Sequence, residues 1–244
     1  MNQMIRPKDV YYERSDAEMA EHLPGETTFS LRQKLALACR MLANDGHASG
    51  LAGQITARGE DPSTFWTQRF GLGLEEMSAS NLLLVDGDLN VIEGHGMPNP
   101  ANRFHIWIYR ARPDVACIIH THPFWCSALG MLEEPLVVSH MDTTHLYEDC
   151  AFLARWPGVP FGDEEGRVIS QALGDKRAVL LAHHGQLVAC GSVEEAAVLS
   201  LTIDRAARLH MAARAVSEIK PASYRATFAY HARRTLITDA DCLS

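Results

Sequence analysis

The apolar residues of this chain recur with two different spacings, and the alternation of the two predicts a mixed α/β fold. Apolar residues three and four positions apart predict amphipathic helices, and short apolar runs between turn residues predict strands. The predicted helices cover 31–45, 100–112, 124–131, 163–173 and 193–217. The predicted strands cover 54–58, 65–68, 82–85, 89–92, 115–122, 136–139, 178–183 and 187–190.

Local signals at the ends of several elements support these ranges. The tetrapeptides 30–33 and 192–195 both begin with serine and end with Gln or Glu, which is the capping-box pattern of a helix start. Asn99, followed by a proline, can cap the predicted helix 100–112, which precedes the strand that contains two histidines. An Asp-Gly pair at 86–87 between two apolar runs indicates a hairpin.

Histidines stand at the ends of two apolar strands. In the segment 116–123 an apolar run leads into His120 and His122, and a period of two puts both side chains on one face of a strand. Two imidazoles on one rigid element can bind one metal ion, and a third ligand must come from elsewhere. The pair His183 and His184, after the apolar strand 178–182, is the best candidate. The alternative is that these histidines are ordinary hydrogen-bonded side chains.

Composition narrows the class of protein. The 244 residues are 47% hydrophobic and 21% charged, which suits a folded domain with a normal core. A net charge of −8 and the lack of a Lys/Arg block argue against nucleic acid or an anionic membrane as partner. The six cysteines are scattered, the first residues lack the apolar core that a signal peptide needs, and no run of roughly 18 apolar residues is present. We therefore expect a cytoplasmic protein.

The chain is expected to form one main domain. Residues 1–28 are polar and irregular and are predicted to form an N-terminal arm, residues 29–219 the domain, and residues 220–244 a C-terminal tail. The polar segment 139–149 is rich in histidine and has no periodic pattern. Such loops often carry function, so His140, His145 and Tyr147 are candidate proton donors or, equally, plain surface residues.

Four segments of the sequence resemble the class II aldolase/adducin family, and they occur in the family's order: 53–58, 105–122, 181–188 and 191–196. The resemblance implies a three-layer α/β/α fold around a central, largely antiparallel sheet. It also implies one divalent metal ion per subunit, with zinc or manganese favoured and iron possible, on His120, His122 and His184. His183 stands where the family often has asparagine. Members of the family commonly form tetramers with active sites at subunit boundaries.

The departures from the family pattern are informative. The family's sugar-phosphate aldolases carry Gly-Asn in the first loop and Ser-Ser-Glu before the helix histidine, where the serines bind phosphate and the Glu transfers protons. This chain has Gln54 in the loop and an Asn-Pro-Ala triplet that ends in Ala101. Alanine can neither take nor deliver a proton. A standard phosphosugar aldolase or epimerase is therefore not expected.

Further residues near the predicted metal site are candidates for the substrate. Arg103 can bind a carboxylate bidentately, or it is a surface arginine paired with a nearby acid. Gln54 and Asn102 are predicted to orient the substrate. His105 is a candidate catalytic residue, with burial at a subunit contact as the alternative. His140 and Tyr147 complete the candidate catalytic set.

These observations predict a metal-dependent lyase that decarboxylates a non-phosphorylated hydroxy or oxo carboxylate, possibly aromatic, through a metal-stabilised enolate or phenolate. Loss of the Glu favours decarboxylation, because that reaction needs no base to take a hydroxyl proton. Three alternatives remain: an aldolase acting on a hydroxy-oxo acid or sugar derivative, a non-haem iron oxygenase, and a non-enzymatic adducin-like interaction domain. The last predicts lost metal ligands.

Overall fold

The structure is a computed structural model that describes residues 14, 15, 17–19, 21, 22, 28–155, 158 and 162–219. The described residues between 14 and 22 are helical, where the sequence predicts an irregular arm, and Arg14 and Glu18 form an i,i+4 ion pair there at 2.6 Å. The predicted tail, 220–244, lies outside the described residues.

Eight strands form a single open sheet. They are β1 (Gln54–Arg58), β2 (Thr64–Thr67), β3 (Leu83–Asp86), β4 (Val91–Glu93), β5 (Cys117–Thr121), β6 (Cys150–Leu153), β7 (Ala178–Leu181) and β8 (Gln186–Cys190). Their order is β4-β3-β2-β1-β5-β8-β7-β6. Only the edge pair β6–β7 is parallel. The prediction of a central, largely antiparallel sheet is confirmed.

Helices cover both faces of the sheet. They are α1 (Leu31–Asn44), α2 (Arg103–Ala111), α3 (Phe124–Gly130), α4 (Asp163–Leu173) and α5 (Val193–Arg214). One buried cluster joins the sheet to α1, α3 and α5, and a second joins its other face to α2 and α4. The result is the three-layer α/β/α arrangement that the resemblance implies.

The central strand β5 is buried on both faces, which explains its unbroken apolar run. Cys117 and Ile119 belong to the cluster under α5, and Ile118 between them belongs to the cluster under α2. Period-two alternation therefore sends His120, like Ile118, toward α2. The metal-ligand candidates lie on the α2 face of the sheet.

Helix starts follow the predicted capping signals. The Ser30 hydroxyl accepts from the backbone N–H of Gln33, and the Gln33 side chain accepts from the Ser30 N–H at 2.8 Å. The Ser192 hydroxyl accepts from the Glu195 N–H at 3.1 Å. Asn99 caps a single 3₁₀ turn, Pro100–Asn102, that leads directly into α2.

Two local predictions need correction. The hairpin of β3 and β4 exists, but its turn is longer than the predicted Asp-Gly pair, because the Asp86 carboxylate accepts from the N–H groups of Asp88 and Asn90. The predicted strand 136–139 is wrong. Its backbone meets α5 instead of a strand, and the Val137 N–H donates to His210 Nδ1 at 3.3 Å.

The pattern of apolar and polar residues did not predict the edge strand β6. Its side chains are only partly buried, and it follows a polar segment that gives no strand signal. That segment, predicted to be an irregular loop, contains the 3₁₀ helix Met141–Leu146. Among the described residues, no helix combines the length and the apolar character needed to cross a bilayer.

Candidate metal centre

Three imidazoles converge at one end of the central strands. His120 and His122 come from the end of β5, and His184 comes from the turn between β7 and β8. The Nε2 atom of His120 lies 2.9 Å from Nε2 of His122 and 3.2 Å from Nε2 of His184. Three nitrogens bound tetrahedrally to one ion at about 2.0–2.1 Å stand roughly 3.4 Å apart. The geometry therefore fits a single divalent ion.

The His120 ring is held in the orientation that a metal ligand needs. Its Nδ1 donates to the backbone carbonyl of Gln186 at 2.8 Å, across the β5–β8 pairing. A proton on Nδ1 leaves the lone pair of Nε2 free and directed into the cluster. Phe104 from α2 packs edge-on against the same ring, with 5.1 Å between ring centroids.

The electrostatic environment keeps the three imidazoles neutral. Burial, reinforced by the neighbouring histidines, holds the pKa of His120 well below its usual value. Burial also lowers the pKa of His122, and together with His122 it lowers the pKa of His184 to about 3. Neutral imidazole is the form that binds a metal ion. Among the described residues, no carboxylate joins the cluster, whose ligand atoms lie within 4.8 Å of one another.

The glycine loop before β1 packs against β5. A side chain at Gly53, whose φ is +95°, would lie 3.2 Å from the His120 carbonyl oxygen. The Gln68 side chain then fixes the loop, accepting from the Ile55 N–H at 2.6 Å and donating to the Gly53 carbonyl at 2.7 Å. Gln54, between those two residues, is thereby held directly opposite His120 in the β1–β5 register.

Polar side chains line the α2 face of the sheet next to the cluster. His105 Nδ1 lies 2.8 Å from the Thr56 hydroxyl, and Asn102 Nδ2 donates to the Thr67 hydroxyl at 2.9 Å. Asn102 and His105 are fully buried, and Gln54 is 5% exposed. Each carries a buried atom without a hydrogen-bond partner among the described residues, namely Gln54 Oε1, Asn102 Oδ1 and His105 Nε2. Unpaired polar atoms concentrated at one place indicate a site built for a polar ligand.

Arg103 and Ala101 differ sharply in exposure. Ala101 is 5% exposed and packs in the cluster under α2. Arg103 is exposed, and no side-chain hydrogen bond or ion pair joins it to any described residue. The alternative that Arg103 is only a surface arginine paired with an acid therefore finds no support within this part of the chain.

The structure does not bring the remaining candidates to the cluster. His140 caps the 3₁₀ helix Met141–Leu146, and its neighbour Asp142 pairs with Arg205 on α5, behind the sheet. Arg177 donates to the His145 carbonyl and precedes β7, whereas His184 follows β7, so the segment that includes Tyr147 lies at the other end of that strand. Within one chain, His140 and Tyr147 therefore lie away from the three imidazoles, and their catalytic roles stay a prediction.

Comparison of the sequence with known protein families shows which family the chain belongs to. The sequence pattern described as "Class II Aldolase and Adducin N-terminal domain" matches residues 33–211, which include every ligand and every lining residue named above. The chain belongs to this family.

Relatives within the class II aldolase and adducin family carry more than one activity in their names. The chain is 32% identical over 177 residues to "Decarboxylase NovR" of Streptomyces niveus, covering 71% of this chain and 65% of that protein. It is equally identical over 177 residues to "4-hydroxy-3-prenylphenylpyruvate oxygenase/4-hydroxy-3-prenylbenzoate synthase" of Streptomyces roseochromogenus subsp. oscitans, covering 71% of this chain and 64% of that protein.

A solved structure agrees with the fold. The "L-fuculose 1-phosphate aldolase from Glaciozyma antarctica PI12" matches with a TM-score of 0.78 and 28% identity, covering 89% of this chain and 88% of that chain. The predicted fold class is thus confirmed, and so is the prediction of a metal-dependent lyase at the level of the family.

The class II aldolase resemblance selects His184 over His183, and the backbone shows why. His183 has a φ of +56°, a left-handed conformation that asparagine tolerates better than most residues. Its ring meets the Glu133 carboxylate at 2.8 Å on the surface, away from the cluster. Gly185, which follows His184, passes so close to β5 that a Cβ there would lie 2.4 Å from the Thr121 carbonyl oxygen.

A buried network behind β5 was not predicted from the sequence. The Thr121 side chain points to the opposite face from His120, where its hydroxyl lies 2.9 Å from His47 Nδ1 and accepts from Gln186 Nε2 at 3.2 Å. Gln186 Nε2 also donates to the Ser200 carbonyl on α5. Gln186 thus connects the back of the sheet to the carbonyl that holds the His120 ring. Nothing in the local sequence signals this role.

Proposed function

We propose that this chain is a divalent-metal-dependent carbon–carbon lyase that decarboxylates a non-phosphorylated hydroxy or oxo carboxylate, with an aromatic acid favoured. The observation that carries the proposal is a cluster of three neutral imidazoles that no carboxylate of the described residues joins. The name of the related decarboxylase from Streptomyces niveus supports the same reaction type.

His120, His122 and His184 are the proposed ligands of one ion, with zinc or manganese favoured and iron possible. His122 and His184 are only partly buried, which leaves the cluster accessible to a small molecule. When bound, such an ion supplies a Lewis acid that favours negative charge on a substrate oxygen next to the reacting carbon.

Ala101 argues against aldolase chemistry in this site. Retro-aldol cleavage needs a base to take a hydroxyl proton, and an alanine methyl group cannot do so. In a decarboxylation the bond to the carboxylate carbon breaks, carbon dioxide leaves, and the electron pair that remains on carbon accepts a proton. That sequence needs a proton donor and no base, which matches the residues present.

The chain's own residues have separate proposed roles in this reaction. Arg103, exposed and unpaired among the described residues, offers a guanidinium to a carboxylate of the substrate. Gln54 and Asn102, held in place by backbone and Thr67 respectively, orient the substrate on the sheet. His105 is the proposed proton donor, because its Nε2 has no hydrogen-bond partner among the described residues and its ring lies on the same face of the sheet as the cluster.

We expect the His105→Gln variant to lose activity and keep its metal. Burial lowers the pKa of His105 to about 3, so the ring is neutral, and in the tautomer whose Nδ1 accepts from the Thr56 hydroxyl the ring proton lies on Nε2. Loss of a proton donor costs about 100-fold or more in kcat. Metal content and kcat are the two measurements, with Thr56→Val as a milder companion variant. A kcat close to that of the wild type would remove His105 from the mechanism.

A substrate screen tests the proposal itself. Full-length protein loaded with Mn²⁺, Zn²⁺ or Fe²⁺ is incubated with hydroxylated mono- and dicarboxylates, and release of carbon dioxide and of aldehyde is measured in parallel. We expect carbon dioxide without aldehyde from at least one aromatic acid. Aldehyde release alone would replace the decarboxylase by an aldolase acting on non-phosphorylated substrates.

An iron-dependent oxygenase is the second candidate function. The name of the Streptomyces roseochromogenus relative favours it, and the same three imidazoles suit Fe²⁺ as well as Zn²⁺. Oxygen consumption by the Fe²⁺-loaded protein in the presence of a substrate distinguishes it from the decarboxylase. The adducin-like alternative predicts lost ligands, and all three imidazoles are present and convergent.

Location and assembly remain part of the proposal. A cytoplasmic enzyme is supported by the five described cysteines, all of which are free thiols. Self-association is supported by exposed apolar side chains that line a groove between α1 and α5, among them Phe29, Leu37 and Val198, and a homotetramer is the form that the family resemblance implies. Active sites at subunit boundaries would bring further side chains to the cluster.

A further inference from the structure

The hydrogen bonds around Asn102 fix the orientation of its amide. The Thr67 hydroxyl donates its only proton to the Ile55 carbonyl at 3.0 Å, since a carbonyl can only accept. Towards Asn102 the Thr67 oxygen must therefore act as an acceptor. The Asn102 atom that lies 2.9 Å away is consequently its Nδ2, which donates, and its Oδ1 faces elsewhere.

That oxygen is a buried acceptor without a donor. Asn102 is 0% exposed, and its Oδ1 has no hydrogen-bond partner among the described residues. An unpaired acceptor in a buried place is costly, and it is satisfied by a water molecule or by a ligand. A carboxylate cannot satisfy it at neutral pH, because both partners would be acceptors.

The position of Asn102 places this acceptor over the same face of the sheet as the imidazoles. Thr67 pairs with Thr56 across the sheet, and Thr56 pairs with Ile118, two residues before His120 on β5. Two strand spacings and two residues along the strand put the Cα atoms of Thr67 and His120 about 12 Å apart. The Asn102 amide, held by Thr67, and the imidazoles extend over the sheet from the two ends of that distance, so a substituted benzoate has to bridge only the part between the side chains.

We propose that Asn102 selects substrates with an additional hydroxyl group, remote from the metal-binding end, which donates to Asn102 Oδ1. This inference rests on the proposed function and narrows its substrate class to acids that carry such a second donor. Arg103, one residue further along, then takes a second carboxylate in substrates that carry one, while Asn102 takes the neutral hydroxyl. Thr67 is the positioning residue, because its hydroxyl determines which end of the amide faces the substrate.

Binding measurements test the proposal independently of turnover. The probes are salicylate, the dihydroxybenzoates that carry one further hydroxyl at each of its remaining ring positions, and their monomethyl ethers at that hydroxyl. Isothermal titration into full-length protein loaded with Zn²⁺ or Mn²⁺ gives each Kd. We expect at least one isomer to bind about 10-fold tighter than salicylate and than its own ether.

The Asn102→Ala variant should lose the preference for that isomer over salicylate, whatever the change in the Kd of salicylate itself. Thr67→Val, of nearly equal size, frees the amide to turn and should also weaken the preference. A purely structural role of Asn102 would lower the melting temperature and weaken all probes alike. Equal isomer-to-salicylate ratios in wild type and both variants, or no binding of any probe, would overturn the proposal. If the isomer-to-salicylate ratio changed with residue 102 and no carbon dioxide were released, only the proposed decarboxylase activity would be overturned.

Discussion

Replacing His184 by alanine is expected to empty the metal site and abolish activity. His184 Nε2 lies 3.2 Å from His120 Nε2, and it is the only one of the three proposed ligands that β5 does not carry. Two imidazoles on one strand bind a divalent ion far more weakly than three that converge from two elements. The loss of affinity should exceed the roughly 10- to 100-fold that removal of an outer partner costs.

The neighbouring histidine provides a matched control. His183→Asn changes an imidazole one residue away, suits the left-handed backbone there, and should leave the metal content unchanged. Metal analysis of the purified proteins is the first measurement, and melting with and without chelator is the second. Chelation should destabilise the wild type and His183→Asn and leave His184→Ala unaffected, since only the first two gain stability from binding. Equal metal content in His184→Ala and wild type would contradict the assignment.

The strand that ends in His120 and His122 was predictable because the signals for it lie within a few neighbouring residues. A period of two put His120 and His122 on one face, and the apolar run before them indicated a strand buried on both sides. The choice between His183 and His184 was not local. The position directly after β7 left both histidines possible as metal ligands, and the family resemblance favoured His184. The structure shows that His183, with a φ of +56°, is turned to the surface.

The lining of the site depends on contacts between distant parts of the chain. Gln54 stands beside His120 only because β1 pairs with β5, and His105 reaches Thr56 only because α2 packs across β1. Sequence patterns identify such elements without giving their register. Gln54, Asn102 and His105 were therefore candidates by resemblance, and the structure supplies their arrangement.

The histidine-rich segment shows where polarity misleads. Its lack of pattern suggested a functional loop, yet His140 Nδ1 accepts from the Asp142 N–H and starts a 3₁₀ helix on the α5 side. A side chain that hydrogen-bonds to its own backbone gives the same sequence signal as one that faces a substrate. The predicted strand 136–139 fails for a related reason, because an apolar run can bury itself against a helix as well as in a sheet.

The Gly185→Ala variant should be the most damaging single-methyl change in this site. A Cβ at Gly185 would lie 2.4 Å from the Thr121 carbonyl oxygen and 2.8 Å from Cδ2 of His122. The first neighbour is backbone of the central strand and the second is a proposed ligand ring, so neither can move without loss. Overpacking of this kind costs about 3 kcal/mol of unfolding free energy.

The same displacement should disturb the metal site in the molecules that do fold. We expect urea unfolding to show the stability loss and metal analysis to show a lower content than in the wild type. Gly87→Ala is the matched control, because a Cβ there would meet only Arg110 Nη2, at 3.9 Å, and should change stability by less than about 0.5 kcal/mol. If Gly185→Ala were as stable and as metal-rich as Gly87→Ala, the close approach of this turn to the ligand strand would be wrong. The His-Gly pair would then matter for its histidine alone, whereas the geometry requires both residues: one supplies the ligand, and the other lets the turn come near enough to present it.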